Sequence, residues 1–245
     1  MNVKNLLFAA SAALAVSLQA EVTANNTLCR IEVESAAKSV IVAVPLAQVG
    51  DGKDIKVTDY ILTTNLQKGD SILKWNGTSW DGWTIDDKSA WEAMTSVSGI
   101  GNVSETAPAA DSALARGAAV WLNRSQATID ASKSFFLYGQ VADGEVTSMA
   151  VAKQWTLLGN PKTTAFDPAG ATFGGVNDGD KIHFVRSAGG AFPDTYVYKT
   201  AQNGWVTYDD DKDALVKLES GKVSVPVGQG FWYENKGEKE VTVKW

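Results

Sequence analysis

Two distant stretches of the chain carry the same five landmarks in the same order, and this self-similarity constrains the fold more than any other feature. The run VIVAVPL (Val40 to Leu46) corresponds to WTLLGNP (Trp155 to Pro161), and KGDSILKW (Lys68 to Trp75) to DGDKIHFV (Asp178 to Val185). DGWTIDDKSA (Asp81 to Ala90) matches NGWVTYDDDKDA (Asn203 to Ala214), and RGAAVW (Arg116 to Trp121) matches VGQGFW (Val227 to Trp232). SFFLYGQV (Ser134 to Val141) closes the first series and KEVTVKW (Lys239 to Trp245) the second. Gly69 to Gly117 spans 48 positions and Gly179 to Gly228 spans 49. The chain therefore reads as two tandem units, 27–145 and 150–245, joined near VADGEVTSMAVAKQ. A Ser-, Gly- and Ala-rich stretch, Ser96 to Ala113, reads as a long surface loop within the first unit.

The local pattern is β throughout. Short runs rich in Val, Ile, Phe, Trp and Tyr are bounded by Gly, Asp and Asn. WNGTSW and QNGWVTY carry Asn-Gly turn signals, and NDGDK and VGDGKD carry Asp-Gly. DDDKDALVKLESG is the one place where a short helix or turn is expected. The expected fold is all-β, each unit a small antiparallel barrel or sandwich. The alignment pairs Trp83 with Trp205 and Trp121 with Trp232, and a Trp required twice reads as core. Gly117, Gly228 and Gly230 then read as close-packing or bulge positions. Trp75, Trp80, Trp91, Tyr196 and Tyr198 lie around the hairpins and are the candidates for an exposed surface.

Residues 1–20 read as an export signal: Lys4 supplies the positive charge, Leu6 to Leu18 the apolar segment, and cleavage is expected after Ala20. No later run approaches the length of a membrane-spanning helix. The expected destination is outside the cell or at its surface, with the periplasm as a further place. A formal charge of -6 and a pI near 4.9 argue against a nucleic-acid partner. With 44% hydrophobic residues a core forms without staples, and the single Cys29 allows no intrachain disulfide. Cys29 alternates with Ile31 and Val33, as on the inner face of a strand.

Chemistry-bearing residues are sparse. His183 is the only histidine, it sits in a strand pattern, and no Gly-x-Ser-x-Gly elbow accompanies it. Asp209, Asp211 and Asp213 alternate as calcium ligands do, but Ala214 and Ser220 stand where an EF-hand loop has its Gly and Glu. The stretch reads as a solvated turn, with a weak calcium site as the alternative. No pair of acids stands out as a glycosidase couple, and the Gly-rich segments do not open helices as phosphate loops do. The alternation of Val241, Val243 and Trp245 is that of a closing strand, and most runs are shorter than an outer-membrane strand.

The succession WTLLGNP, GD, NGW and GQGFWY resembles repeats of secreted bacterial proteins of unknown function. The likeness covers most of the chain beyond residue 20 and implies duplicated β repeats and export. It implies no catalytic residue. The first copy departs from it with VAVPL for the Gly-Asn-Pro and RGAAVW for the Gly-x-Gly. The function expected is a non-enzymatic structural, surface or assembly protein, its partners copies of itself or cell-surface components. The alternative is a carbohydrate-binding module whose glycan platform is Trp75, Trp80, Trp91 and Tyr198. A hydrolase ranks third.

Overall fold

Alternation of apolar and polar residues produces most of the strands of this computed structural model, which describes residues 28–50, 54–94, 113–142, 144–151, 153–184, 194–209 and 213–245. The first half runs β1 (Leu28–Glu34), β2 (Ser39–Ala43), β3 (Ile55–Lys56), α1 (Val57–Tyr60), β4 (Ile61–Leu62), β5 (Ser71–Trp75) and β6 (Trp80–Ile85). It continues with β7 (Trp91–Met94), β8 (Ala113–Leu114), β9 (Ala119–Asn123), α2 (Gln126–Ala131) and β10 (Ser134–Gln140). The second half runs β11 (Thr147–Ala150), β12 (Trp155–Gly159), β13 (Thr172–Gly174), β14 (Lys181–Phe184) and β15 (Asp194–Lys199). It ends with β16 (Gly204–Asp209), β17 (Ala214–Lys217), β18 (Gly230–Glu234) and β19 (Val241–Lys244). The chain is all-β, as expected.

In the first half a five-stranded sheet, β2-β9-β5-β6-β7, lies over a three-stranded one, β1-β10-β4. Val40, Val42, Ile72, Trp83, Val120 and Leu122 of the larger sheet meet Val33, Ile61, Phe135 and Leu137 of the smaller in one buried cluster. Cys29 and Ile31 pack against its rim, on the inner face that alternation assigned them. In the second half a six-stranded sheet, β12-β18-β14-β15-β16-β17, covers β11-β19-β13. Leu158, Ile182, Tyr196, Trp205, Phe231 and Tyr233 meet Ala150, Val241 and Val243 there. β11 begins at Thr147, within the stretch expected to be the joint. The proposed signal, 1–20, and nearly all of the loop expected over 96–113 lie outside the described residues.

Two buried aspartates tie the loop before a central strand to the end of its neighbour. Asp70 accepts from Gln67 N (3.0 Å) and Ser125 N (2.8 Å). Asp180 accepts from Asn177 N (2.8 Å) and Lys236 N (2.7 Å). Each follows a left-handed glycine, Gly69 (φ 90°) or Gly179 (φ 87°), a conformation that glycine adopts without strain. One residue after β9, Arg124 is fully buried and donates to the carbonyls of Ser35 and Ser132. One residue after β18, Asn235 donates to the carbonyls of Ala150 (3.1 Å) and Lys239 (2.9 Å). A long cation in one half and a short amide in the other fasten the large sheet to the small one.

Three expectations change. The stretch after Asp213 is a strand, β17, paired with β16 over Tyr208↔Leu215, where a helix or turn was expected. The real helix of that size is α2, whose start is capped by the Ser125 hydroxyl accepting from Thr128 N (3.2 Å). And Tyr196, not Trp205, stands where Trp83 does. Ile85 and Tyr198 make the same pair of backbone bonds with Gly69–Asp70 and Gly179–Asp180. Two residues earlier, Trp83 faces Ile72 and Tyr196 faces Ile182. Trp205 lies one strand further out, opposite Tyr198. The six-stranded sheet has one strand more than its counterpart, so the matching DGW and NGW motifs fall on strands at different depths.

Candidate functional site

The side chains that do not enter the two cores meet one another. Alternation sends Ile41 of β2, Ala119 and Trp121 of β9, Leu73 and Trp75 of β5 and Trp80 of β6 to the outer face of the five-stranded sheet. Leu157 and Trp155 of β12, Trp232 of β18 and His183 of β14 take the outer face of the six-stranded sheet. Ile41, Ala119 and Leu157 form a third buried cluster, with Trp75, Trp80 and Trp232 packed against it. The two halves are joined through these outer faces.

Trp232 is the hub. Its ring lies 6.3 Å from Trp75, 5.8 Å from Trp80, 6.2 Å from Trp121 and 6.0 Å from Trp155. Trp75 and Trp80 are 5.0 Å apart at 59°. The contacts of Trp232 with Trp75, Trp80, Trp121 and Trp155 are edge-to-face, at 64° to 86°, a geometry favoured by the ring quadrupoles. Trp75 Nε1 donates to the Trp155 carbonyl (3.0 Å), so the β5–β6 hairpin grips β12 directly. The hairpin turns through Asn76–Ser79, as its Asn-Gly signals, with the Asn76 carboxamide accepting from Thr78 N and Ser79 N.

Small residues let the sheets approach at the centre. A Cβ on Gly159 would lie 2.7 Å from the Ala43 Cα, and one on Gly230 2.8 Å from the Ala119 Cβ. Backbone bonds cross here in both directions: Ala43 N donates to Gly228 O (2.9 Å) and Gly159 N to Gly117 O (2.9 Å). Gly117 and Gly228, both left-handed, therefore serve the junction between halves, not a bulge beside a core ring. Trp121 and Trp232, expected in the cores, are half-buried parts of this junction.

The candidates for a sugar platform do not share one face. Trp75 and Trp80 belong to the junction and their rings are steeply inclined to each other. Trp91 lies on the opposite face of the same sheet, against the first core, its Nε1 donating to Ile61 O (2.8 Å). Tyr198 belongs to the second core, 5.5 Å from Trp205, and its hydroxyl donates to Asn203 (3.2 Å). Of the candidate calcium ligands, Asp211 lies outside the described residues and Asp209 ends β16. Asp213 sits in a left-handed turn (φ 49°) and accepts from the Tyr208 hydroxyl. Among the described residues, no three His, Cys, Asp or Glu side chains are gathered as metal ligands.

His183 is the titrating group of the junction. Its ring lies 4.8 Å from Trp155, and its Nδ1 is 2.9 Å from the Thr195 hydroxyl. Nε2 is buried with no hydrogen-bond partner among the described residues, as is Trp121 Nε1. Burial holds the imidazole below its ordinary value; Glu234 opposes this, and Lys181 and Lys236 add to it. The unfolded chain then takes up the proton more readily than the folded one. The stabilising contribution is complete above about pH 6.5 and declines as pH falls toward the folded value. Denaturation midpoints should therefore drop from about pH 7 to about pH 5, by well under about 1.4 kcal/mol per pH unit for a half-buried ring. His183→Leu should flatten that slope, and an unchanged slope would show the ring to be solvated.

No family model matches this sequence, and no curated protein and no solved structure matches it.

Proposed function

We propose that this chain is an exported, non-enzymatic structural, surface or assembly component built from two β repeats. Duplication is supported by the corresponding bonds of Asp70 and Asp180, by Arg124 and Asn235 in matching places, and by the reciprocal bonds of the junction. A contact in which each half offers the other the same surface is the pattern of a two-fold dimer, here within one chain. The non-enzymatic reading is supported by the roles of the polar groups: the buried carboxyls and the arginine hold loops and sheets together.

The observation that carries an assembly role is strand β17. It closes the six-stranded sheet with β16 as its one strand neighbour among the described residues. Tyr208 and Leu215 face each other across that pair, and both are more than half exposed. An open edge with apolar side chains can pair with an edge of a second copy. Light scattering after size exclusion should show concentration-dependent self-association of the purified chain. Leu215→Lys should abolish it while leaving the unfolding transition in place. A monomer at every concentration up to about 1 mM, where even an association of about -4 kcal/mol would register, would remove the assembly role. Mass spectrometry of the exported protein should find Glu21 at its N-terminus, and an unprocessed product would remove export.

A further inference from the structure

We propose that a groove on the first half of the protein, away from the junction and from β17, binds a neutral saccharide. It opens between α1, β4, the start of β7 and β10, with a volume of about 520 Å³, within the range of small-ligand sites. Two aromatic rings, Trp91 and Tyr138, line it together with Gln48, Thr58, Asp59 and Thr63.

The parts suit a pyranose ring. Trp91 is fixed, because its Nε1 is engaged by the Ile61 carbonyl and the indole packs against the first core. Only its apolar surface remains to be offered. Tyr138 lies between buried Leu137 and Gly139 on β10, so alternation turns it away from the core. The side chains of Tyr138, Thr58, Asp59 and Thr63 have no hydrogen-bond partner among the described residues. A sugar presents an apolar C–H face to a ring and hydroxyls around its rim, the complement of a fixed indole flanked by a carboxyl and hydroxyls.

The same inventory excludes other ligands. No Lys or Arg is among the described lining residues, and Asp59 repels anions, so phosphates and uronic acids are disfavoured. Arg30, opposite Tyr138 in register, is turned over the Phe136 ring at 4.4 Å. Gln48, Thr58, Asp59, Thr63 and Ser89 interrupt the apolar lining, and a lipid chain would desolvate them without return. β4 is two residues long, too short to take up a peptide strand.

Isothermal titration of the purified chain against neutral hexasaccharides of glucose, xylose and mannose tests the site, with an oligogalacturonate as the charged comparison. At least one neutral sugar should bind at one site per chain with a Kd between about 10 μM and about 1 mM. Asp59→Asn should weaken it about tenfold and Tyr138→Phe a few-fold, the sizes of a charged and a neutral hydrogen bond. Both side chains lack protein partners among the described residues, so thermal melts of the variants should match the parent and separate lost binding from lost folding. No heat from any neutral sugar, equal binding of the oligogalacturonate, or affinity unchanged in the Asp59→Asn, Tyr138→Phe double variant would each overturn the proposal. The site is independent of self-association: a monomer that binds sugar leaves this inference standing and removes only the assembly role.

Discussion

Gly159→Val is expected to loosen the two halves from each other while leaving each core intact. The substituted Cβ would meet the Ala43 backbone at 2.7 Å and the Ala118 carbonyl still closer. Neither can swing aside as a flexible side chain would, since both belong to strands or bridges that cross the junction. The sheets must separate, and with them the Trp232 cluster that depends on their approach. We expect about 3 kcal/mol or more of destabilisation, at the upper end of what overpacking costs. Tryptophan fluorescence should report it specifically, because five of the rings sit in the junction: Trp75, Trp80, Trp121, Trp155 and Trp232. The variant should show a red-shifted native spectrum and a first unfolding step that precedes loss of β-sheet circular dichroism. A denaturation curve within about 0.5 kcal/mol of the parent would mean that the sheets do not meet at Gly159.

Asp70→Ala and Asp180→Ala should each damage one half. Both carboxyls are fully buried, and Asp70 accepts three hydrogen bonds and Asp180 four. Asp70 accepts from Gln67 N, Ser125 N and the Thr128 hydroxyl (3.0 Å). Asp180 accepts from Asn177 N, Lys236 N, the Tyr233 hydroxyl (2.9 Å) and, more weakly, Asn177 Nδ2 (3.4 Å). Alanine leaves those donors buried and unpaired, at about 1–3 kcal/mol each before relaxation or water entry. About 3–5 kcal/mol per site is the expected loss, read as a fall in denaturant midpoint at unchanged slope. The two sites share no partner, so their effects should add to within about 0.5 kcal/mol in the double variant. A loss under about 1 kcal/mol at either site would show that its loop is held by other contacts.

Much of the fold can be read from local pattern. Period-two alternation is a property of neighbouring residues, so the strands around Ile31, Val42, Leu122 and Val243 and the inner placement of Cys29 follow from sequence. The GD landmarks mark a turn whose aspartate must find donors, and both aspartates do. β17 was harder: an edge strand has little burial to enforce alternation, and its charged flanks imitate the end of a helix. α2 leaves little trace in the sequence although Ser125 and Thr128 provide a cap signal, because six residues carry too little helical periodicity.

The candidate site was less legible. Alternation assigns a side chain to one of two faces and says nothing about what that face meets. Trp75, Trp80, Trp121 and Trp232 were therefore split between surface and core, although all four stand in one cluster. Trp91, grouped with Trp75 and Trp80 by its place around the hairpins, faces the other way. The partners of the saccharide groove, Asp59 and Tyr138, come from segments that no motif connects.

By itself the sequence determined an all-β chain, most of its strands, and the landmark aspartates and glycines, because these express local alternation and turn conformation. Tertiary structure alone decided that the outer faces of the two large sheets bury each other. It also decided that Tyr196 takes the place Trp83 holds, and which aromatic rings remain beside open grooves. Those outcomes depend on how many strands each sheet contains and on how closely Gly159 and Gly230 allow the sheets to approach. Both are relations between residues far apart in the chain, and neither leaves a periodic trace in it.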